Sequence, residues 1–275
     1  MDYFQAVVLG IVEGLTEFLP VSSTGHLTIA EKLLGLKVDD PAVTAYTAVI
    51  QMGAIVAVIV YFFRDIWRIL HAWVTGLVKP ELRGTFDHRM GWFVIAGSVP
   101  IGIVGLVAKD VITGPLRSLW VVAAALVLWS FVMLYAERRG RQVREERELT
   151  LRDAVTVGLV QCVALVPGVS RSGATISTGL LLDLDRVTAT RLSFFLSIPA
   201  LLAAGLYELK DAIGGDIGIG QTVVGTVVSF VVAYASIAWL LRFVATHSIG
   251  KFVPYRIALG VVLVVVLAAG WMSAT

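Results

Sequence analysis

The chain has 275 residues, 57% of them hydrophobic and 15% charged, against roughly 45–50% and 25% in an ordinary soluble domain; this composition excludes a soluble enzyme. Lysine and arginine number 22, aspartate and glutamate 20, and a net charge of +2 gives no reason to expect a nucleic-acid partner. The single cysteine, Cys162, excludes an internal disulfide and a cysteine-rich metal site, and leaves the redox compartment unread.

The first residues, Met1-Asp2-Tyr3-Phe4, lack the basic stretch of a secretory signal, and the apolar run behind them carries Glu13 and Glu17, so they are expected to belong to the mature protein. Residues 3–36 are apolar but broken by Glu13, Glu17, Pro20 and Ser22-Ser23-Thr24-Gly25-His26. A helix from Tyr3 to Phe18 would be about 24 Å long, short of the roughly 30 Å of hydrocarbon in a bilayer. Broken polar backbone at that depth is tolerated only where protein or a water-filled cavity surrounds it. The segment is therefore predicted to be a re-entrant helix-break-helix hairpin. Three charge-poor stretches follow and predict membrane spans at 41–63, 90–108 and 118–136, with a loop over 64–89. Glu137 to Glu148, dense in both signs of charge, reads as a solvated linker. Residues 151–182, broken by Pro167-Gly168 and Ser170-Arg171-Ser172-Gly173, read as a second hairpin. Spans at 188–207, kinked at Pro199, then 217–241 and 257–275 complete the chain.

An internal repeat supports the two hairpins. An offset of 148 positions lays Gly10-Ile11-Val12-Glu13 on Gly158-Leu159-Val160-Gln161, Val21-Ser22 on Val169-Ser170 and Thr24-Gly25 on Ser172-Gly173. Residues 1–136 and 151–275 thus each hold one hairpin and three spans. Three is odd, so the halves insert with opposite orientation, and 1–275 is expected to form a single all-α integral membrane domain with six spans and two re-entrant hairpins in an inverted-topology repeat. Calling the face of loop 64–89 cytoplasmic puts sixteen Lys and Arg on it, Arg242, Lys251 and Arg256 included, against five on the other side. Trp67, Trp92, Trp120 and Trp271 read as interface anchors and Gln51 as a helix-to-helix hydrogen bond.

The chemistry concentrates in the hairpins. Glu13 and Glu17 stand one turn apart on one helix face. Facing lipid, each would cost about 2.5–3.5 kcal/mol, so both line a polar cavity or hold a cation; oxygen ligands in this pattern suit Mg²⁺ or Ca²⁺. Arg171 keeps its charge inside a membrane, and its planar fork matches phosphate oxygens; pairing with Glu13 or Glu17 is its other reading. Ser170 is a good N-cap, and the N–H groups of Ser172, Gly173 and Ala174, with Thr175 beyond, are expected to point at an anion. Ser22-Ser23-Thr24-Gly25 after Pro20 repeats the arrangement from the opposite side. Two helix N-termini, each about half a positive charge, would converge with Arg171 near the midplane, where a pyrophosphate fits. Ser23 and His26, three apart, fall on the same side within reach of one phosphorus.

The run Glu13-Gly14-Leu15-Thr16-Glu17-Phe18-Leu19-Pro20-Val21-Ser22-Ser23-Thr24-Gly25-His26, together with Pro167-Gly168-Val169-Ser170-Arg171-Ser172-Gly173-Ala174-Thr175 and Val49-Ile50-Gln51-Met52-Gly53, resembles the undecaprenyl-diphosphate phosphatase family, also called bacitracin-resistance proteins. The resemblance covers the whole chain. It implies a multi-pass enzyme of the bacterial cytoplasmic membrane that needs a divalent cation and removes the terminal phosphate of undecaprenyl diphosphate, recycling the lipid carrier for cell-wall synthesis. Its catalytic positions correspond to Glu13, Glu17, Ser23, His26 and Arg171. A site facing outward, with Ser23 as nucleophile and His26 as general base, is the expectation; attack by His26 or by a metal-activated water stays open, as does homodimer formation. The competing reading is a transporter or flippase for a phosphorylated polyprenyl lipid, which would need Arg171 and the helix ends but not Ser23 beside His26.

Overall fold

The computed structural model describes residues 1–38, 40–212 and 218–274. Among these, twelve α-helices carry the fold: α1 (Tyr3–Thr16), α2 (Ser23–Leu33), α3 (Pro41–Tyr61), α4 (Phe63–Val78), α5 (Phe86–Val107), α6 (Lys109–Thr113), α7 (Leu119–Arg139), α8 (Leu151–Gln161), α9 (Arg171–Leu181), α10 (Arg186–Ala212), α11 (Ile219–Thr246) and α12 (Val253–Ala268). Six are long and apolar enough to cross a membrane: α3, α5, α7, α10, α11, and α12 with the 3-10 turn Ile249–Phe252 before it. Residues 217 and 275, the outer ends of two expected spans, lie outside the described residues. The helix starts follow local chemistry. Asp2 with Gln5 and Thr150 with Asp153 form reciprocal capping boxes, and Asp40 caps α3 with Pro41 at its first position.

Both broken regions fold back on themselves. α1 packs on α2, and Gln5 Nε2 donates to Leu34 O at 3.1 Å, joining the start of one helix to the end of the other. Arg144 does the same for α8 and α9, donating to Asp153 at 2.6 Å and to Leu182 O at 2.9 Å. The first hairpin opens where α3 begins. α3 ends at Tyr61, and the next ring, Phe62, lies 5.2 Å below Arg191 at the start of α10, on the side where the second hairpin opens. The hairpins therefore enter from opposite ends, and their breaks meet: Gly168 N–H donates to Ser22 Oγ at 3.0 Å and Ser172 Oγ to Leu19 O at 2.9 Å.

The halves interlock. α1 packs on α11 of the other half, and α8 packs on α5. Both crossings need glycine for close backbone approach: a Cβ on Gly10 would stand 2.6 Å from Gly225 O, and one on Gly158 would run into Gly97 O.

Four expectations change. Loop 64–89 contains the amphipathic helix α4, whose stripe of Phe63, Trp67, Leu70, Val74 and Leu77 has helical spacing despite the charges between. The last span starts at Ile249, with α12 from Val253, and stops at Ala268, because Pro254 sets the first turn of α12 and Gly270, at φ 71°, ends the helix, with Trp271 N–H returning to Val266 O. The 137–148 linker is bound rather than merely solvated: Arg141 pairs with Asp183, Arg186 with Glu137 and Arg191 with Glu146. Asp183 is held below the usual carboxylate range, chiefly by the Arg141 guanidinium that hydrogen-bonds to it. Arg256, counted with the cytoplasmic charges, is fully buried at the meeting of the breaks. Without it the charge bias is fifteen to five.

Candidate active site

The breaks are built alike. Ser22 and Ser170 both adopt the left-handed region, at φ 78° and 76°, a conformation that costs about 1–3 kcal/mol for a residue with a side chain. The twist lets each serine cap the following helix: Ser22 Oγ accepts from Gly25 N–H at 3.4 Å, and Ser170 Oγ from Gly173 N–H at 3.1 Å. Ala174 N–H bonds to Ser170 O. The caps thus engage Gly25, Gly173 and Ala174, three of the N–H groups expected to face an anion. Ser23, Thr24, Arg171 and Ser172 keep N–H groups without a bond among the described residues.

Glu17 is the hub. It follows the last turn of α1, is 5% exposed, and takes one partner on each oxygen: Arg171 Nη2 donates to Oε1 at 3.1 Å and Ser23 Oγ donates to Oε2 at 2.5 Å. Arg171 also reaches Ser193 O at 3.5 Å, lies 5.9 Å from the Phe18 ring centroid, and keeps its buried Nε–H unshared. Thr175 Oγ1 donates to Ser193 Oγ at 2.6 Å, bracing the same corner. The hydroxyl of Ser23 is therefore bonded to a carboxylate rather than to His26, the partner its spacing suggested. One turn back, Glu13 is fully buried with neither oxygen partnered. A carboxylate so placed needs a proton or a cation, and its free oxygens beside Glu17 fit a hard divalent ion. Among the described residues no cluster of three or more His, Cys, Asp or Glu gathers, so other ligands would be water or phosphate oxygen, as Mg²⁺ accepts.

Two residues hold places in the site that the sequence reading did not assign them. His26 Nδ1 lies 2.7 Å from Ser22 O and Nε2 lies 2.6 Å from Tyr255 Oη, with the rings stacked at 5.6 Å. A carbonyl only accepts, so a neutral ring carries its proton on Nδ1, and the Nε2 lone pair accepts from Tyr255. Arg256, next in sequence, donates to Pro20 O at 3.0 Å, Gly168 O at 2.9 Å, Val169 O at 3.1 Å and Ser130 Oγ at 3.1 Å. It satisfies carbonyls that both breaks orphan and fastens the tips together. The only sequence signal was a Tyr-Arg pair at the head of an apolar run. Thr24 and Tyr255 are exposed and mark the mouth of the site, between α2 and α12.

Residues 6–262 match the family described as Bacitracin resistance protein BacA. The chain belongs to that family. It is 58% identical over 275 residues to the undecaprenyl-diphosphatase of Acidothermus cellulolyticus, covering all of both chains. It is 61% identical over 267 residues to undecaprenyl-diphosphatase 1 of Streptomyces coelicolor, covering 97% of this chain and 96% of the relative. With undecaprenyl-diphosphatase 1 of Corynebacterium jeikeium it shares 52% over 278 residues, covering all of this chain and 98% of the relative.

Proposed function

We propose that this chain hydrolyses undecaprenyl diphosphate to undecaprenyl phosphate and inorganic phosphate in the bacterial cytoplasmic membrane. The observation that carries the reading is the buried chain Arg171–Glu17–Ser23: a hydroxyl already hydrogen-bonded to a proton acceptor, beside a guanidinium with a spare N–H. A carrier has no use for the hydroxyl-to-carboxylate bond.

Ser23 Oγ attacks the terminal phosphorus, its proton passes to Glu17 Oε2, and the bond from that phosphorus to the bridging oxygen breaks, releasing undecaprenyl phosphate. Arg171 Nε–H and the unshared N–H groups of Ser23, Thr24 and Ser172 stabilise the equatorial oxygens. Water then attacks the phosphoserine, His26 Nε2 takes its proton once the Tyr255 hydroxyl turns aside, and Ser23 recovers a proton from Glu17 as inorganic phosphate leaves. Glu13 and the remaining lone pairs of Glu17 would hold Mg²⁺ or Ca²⁺. Such an ion neutralises charge on the phosphoryl oxygens. The prenyl tail stays in lipid past the mouth between α2 and α12. The charge bias supports a cytoplasmic basic face and, with it, a mouth that faces outward.

Phosphate release from undecaprenyl diphosphate by the purified protein in detergent tests this directly. Release is expected with Mg²⁺ or Ca²⁺ and is lost with EDTA or in Ser23→Ala. Absence of turnover under every cation condition would reject the activity, and unchanged turnover in Ser23→Ala would reject the nucleophile. In a Cys162→Ser background, an impermeant thiol reagent applied from outside is expected to label Lys37→Cys and not Arg147→Cys; the reverse pattern inverts the orientation.

A further inference from the structure

We propose that α4 lies within the headgroup layer on the basic face of the bilayer and binds anionic phospholipid there. With 16 residues, α4 is about 24 Å long and does not cross. Its contacts also fix its direction. Near its start, Asp65 accepts from Arg191 Nη2 at 3.0 Å, at the beginning of α10, and Arg68 pairs with Asp87 at 3.5 Å, in the first turn of α5. Near its end, Gly76 lies against the His88 ring, again at the head of α5, and Arg83 donates to Gly76 O and Leu77 O. Both ends are thus held at one level, the level at which α5 and α10 begin, and the helix runs along that face rather than into it.

The two sides of α4 differ. Ile69 and Gly76 are buried, and Trp73 packs over Gly91. On the adjoining side, Phe63, Trp67, Leu70, Val74 and Leu77 are 47–61% exposed. This stripe continues the exposed flank of α3, where Val56 and Val60 face outward, so the lipid that covers α3 reaches it without interruption. Exposed Arg64 and His71 border the stripe, Lys79 follows the helix, and none of the three has a carboxylate within ion-pair distance among the described residues. Glu81 is the one exposed acid near its end. An apolar stripe flanked by Arg64 and Lys79 matches an interfacial helix on an anionic leaflet.

The test uses the full-length protein with Cys162→Ser and Trp67→Cys, labelled with an environment-sensitive fluorophore, in vesicles of phosphatidylcholine with or without phosphatidylglycerol; Leu70→Cys serves as an independent label site. Nitroxides at the headgroup are expected to quench the label more than nitroxides at the chain end, and aqueous iodide much less than it quenches a label at Arg147→Cys. Headgroup-labelled phosphatidylglycerol is expected to quench several-fold more than headgroup-labelled phosphatidylcholine, and R64Q/K79Q to abolish that preference while keeping the depth. Iodide access equal to that at position 147, stronger quenching from the chain end, protection that grows with protein density as a second copy would give, or a preference that survives R64Q/K79Q each overturns the proposal. None of these readouts depends on enzyme turnover.

Discussion

The two hairpins share one backbone and divide the chemistry. At the offset of 148 residues, Ser22 and Ser170 carry the same left-handed twist and the same cap, yet Glu13 faces Gln161, Glu17 faces Leu165, Ser23 faces Arg171 and His26 faces Ala174. One tip holds the carboxylates, hydroxyl and imidazole, and the other holds the guanidinium. The symmetric break presents two helix starts to one another where the hairpin tips meet. The side chains that depart from symmetry are the ones to which the proposed mechanism assigns a role.

Substitutions at matched positions should separate these layers. Ser23→Ala is expected to lower turnover by at least about three orders of magnitude, as removal of a nucleophile does, with lipid binding retained in an equilibrium assay; a fall of only severalfold would mean that water attacks directly. Arg171→Lys comes next, at about 10²–10³-fold in kcat, because an ammonium reproduces neither the planar guanidinium that spans Glu17 Oε1 and Ser193 O nor the spare N–H. Near-normal rates would reduce Arg171 to charge balance. Arg256→Met addresses the frame the tips share. It orphans the carbonyls of Pro20, Gly168 and Val169 at about 1–3 kcal/mol each, and a clear drop in melting temperature is expected in detergent. An unchanged melting curve would show that the tips hold each other unaided. Tyr255→Phe removes the neutral hydrogen bond that must open before His26 Nε2 takes a proton, worth about 1 kcal/mol, so kcat is expected to rise by about fivefold where that step limits turnover. The same variant should move the pH dependence of kcat with little change in KM; a pure KM effect would assign Tyr255 to lipid binding. The smallest effect is expected at Gln161, buried with its amide unpartnered: Gln161→Met should stay within about twofold, whereas Glu13→Gln, at the matching position, should lose cation-dependent activity. Equal losses at both would dissolve the asymmetry.

The spans and both hairpins were legible because hydrocarbon imposes a coarse ruler: charge-free runs of sufficient length, and polar breaks where the length falls short. The repeat added that the two hairpins share one build and point in opposite directions. What stayed hidden depended on partners far along the chain. Arg256 sits at the head of an apolar run and reads as an interfacial charge; only the assembled tips reveal five acceptors around it. Ser23 and His26 are neighbours on a helix face, but the hydroxyl turned to Glu17 across the break and the imidazole to Tyr255, 229 residues away. α4 was obscured by Arg64, Asp65 and Arg68, whose charges interrupt a stripe that periodicity alone would have found.

The exchange of partners between halves, α1 seated on α11 and α8 on α5, bears on biosynthesis. The first hairpin leaves the ribosome early with its carboxylates, yet the helix that seats it, Ile219–Thr246, is translated some two hundred residues later. During that interval a half-length helix pair that carries two carboxylates has no finished cavity to occupy. The nascent chain must therefore be sheltered by the insertion machinery or wait at the membrane surface, and a fragment ending after the first half is expected to be a substrate for quality-control proteases rather than a stable half-enzyme.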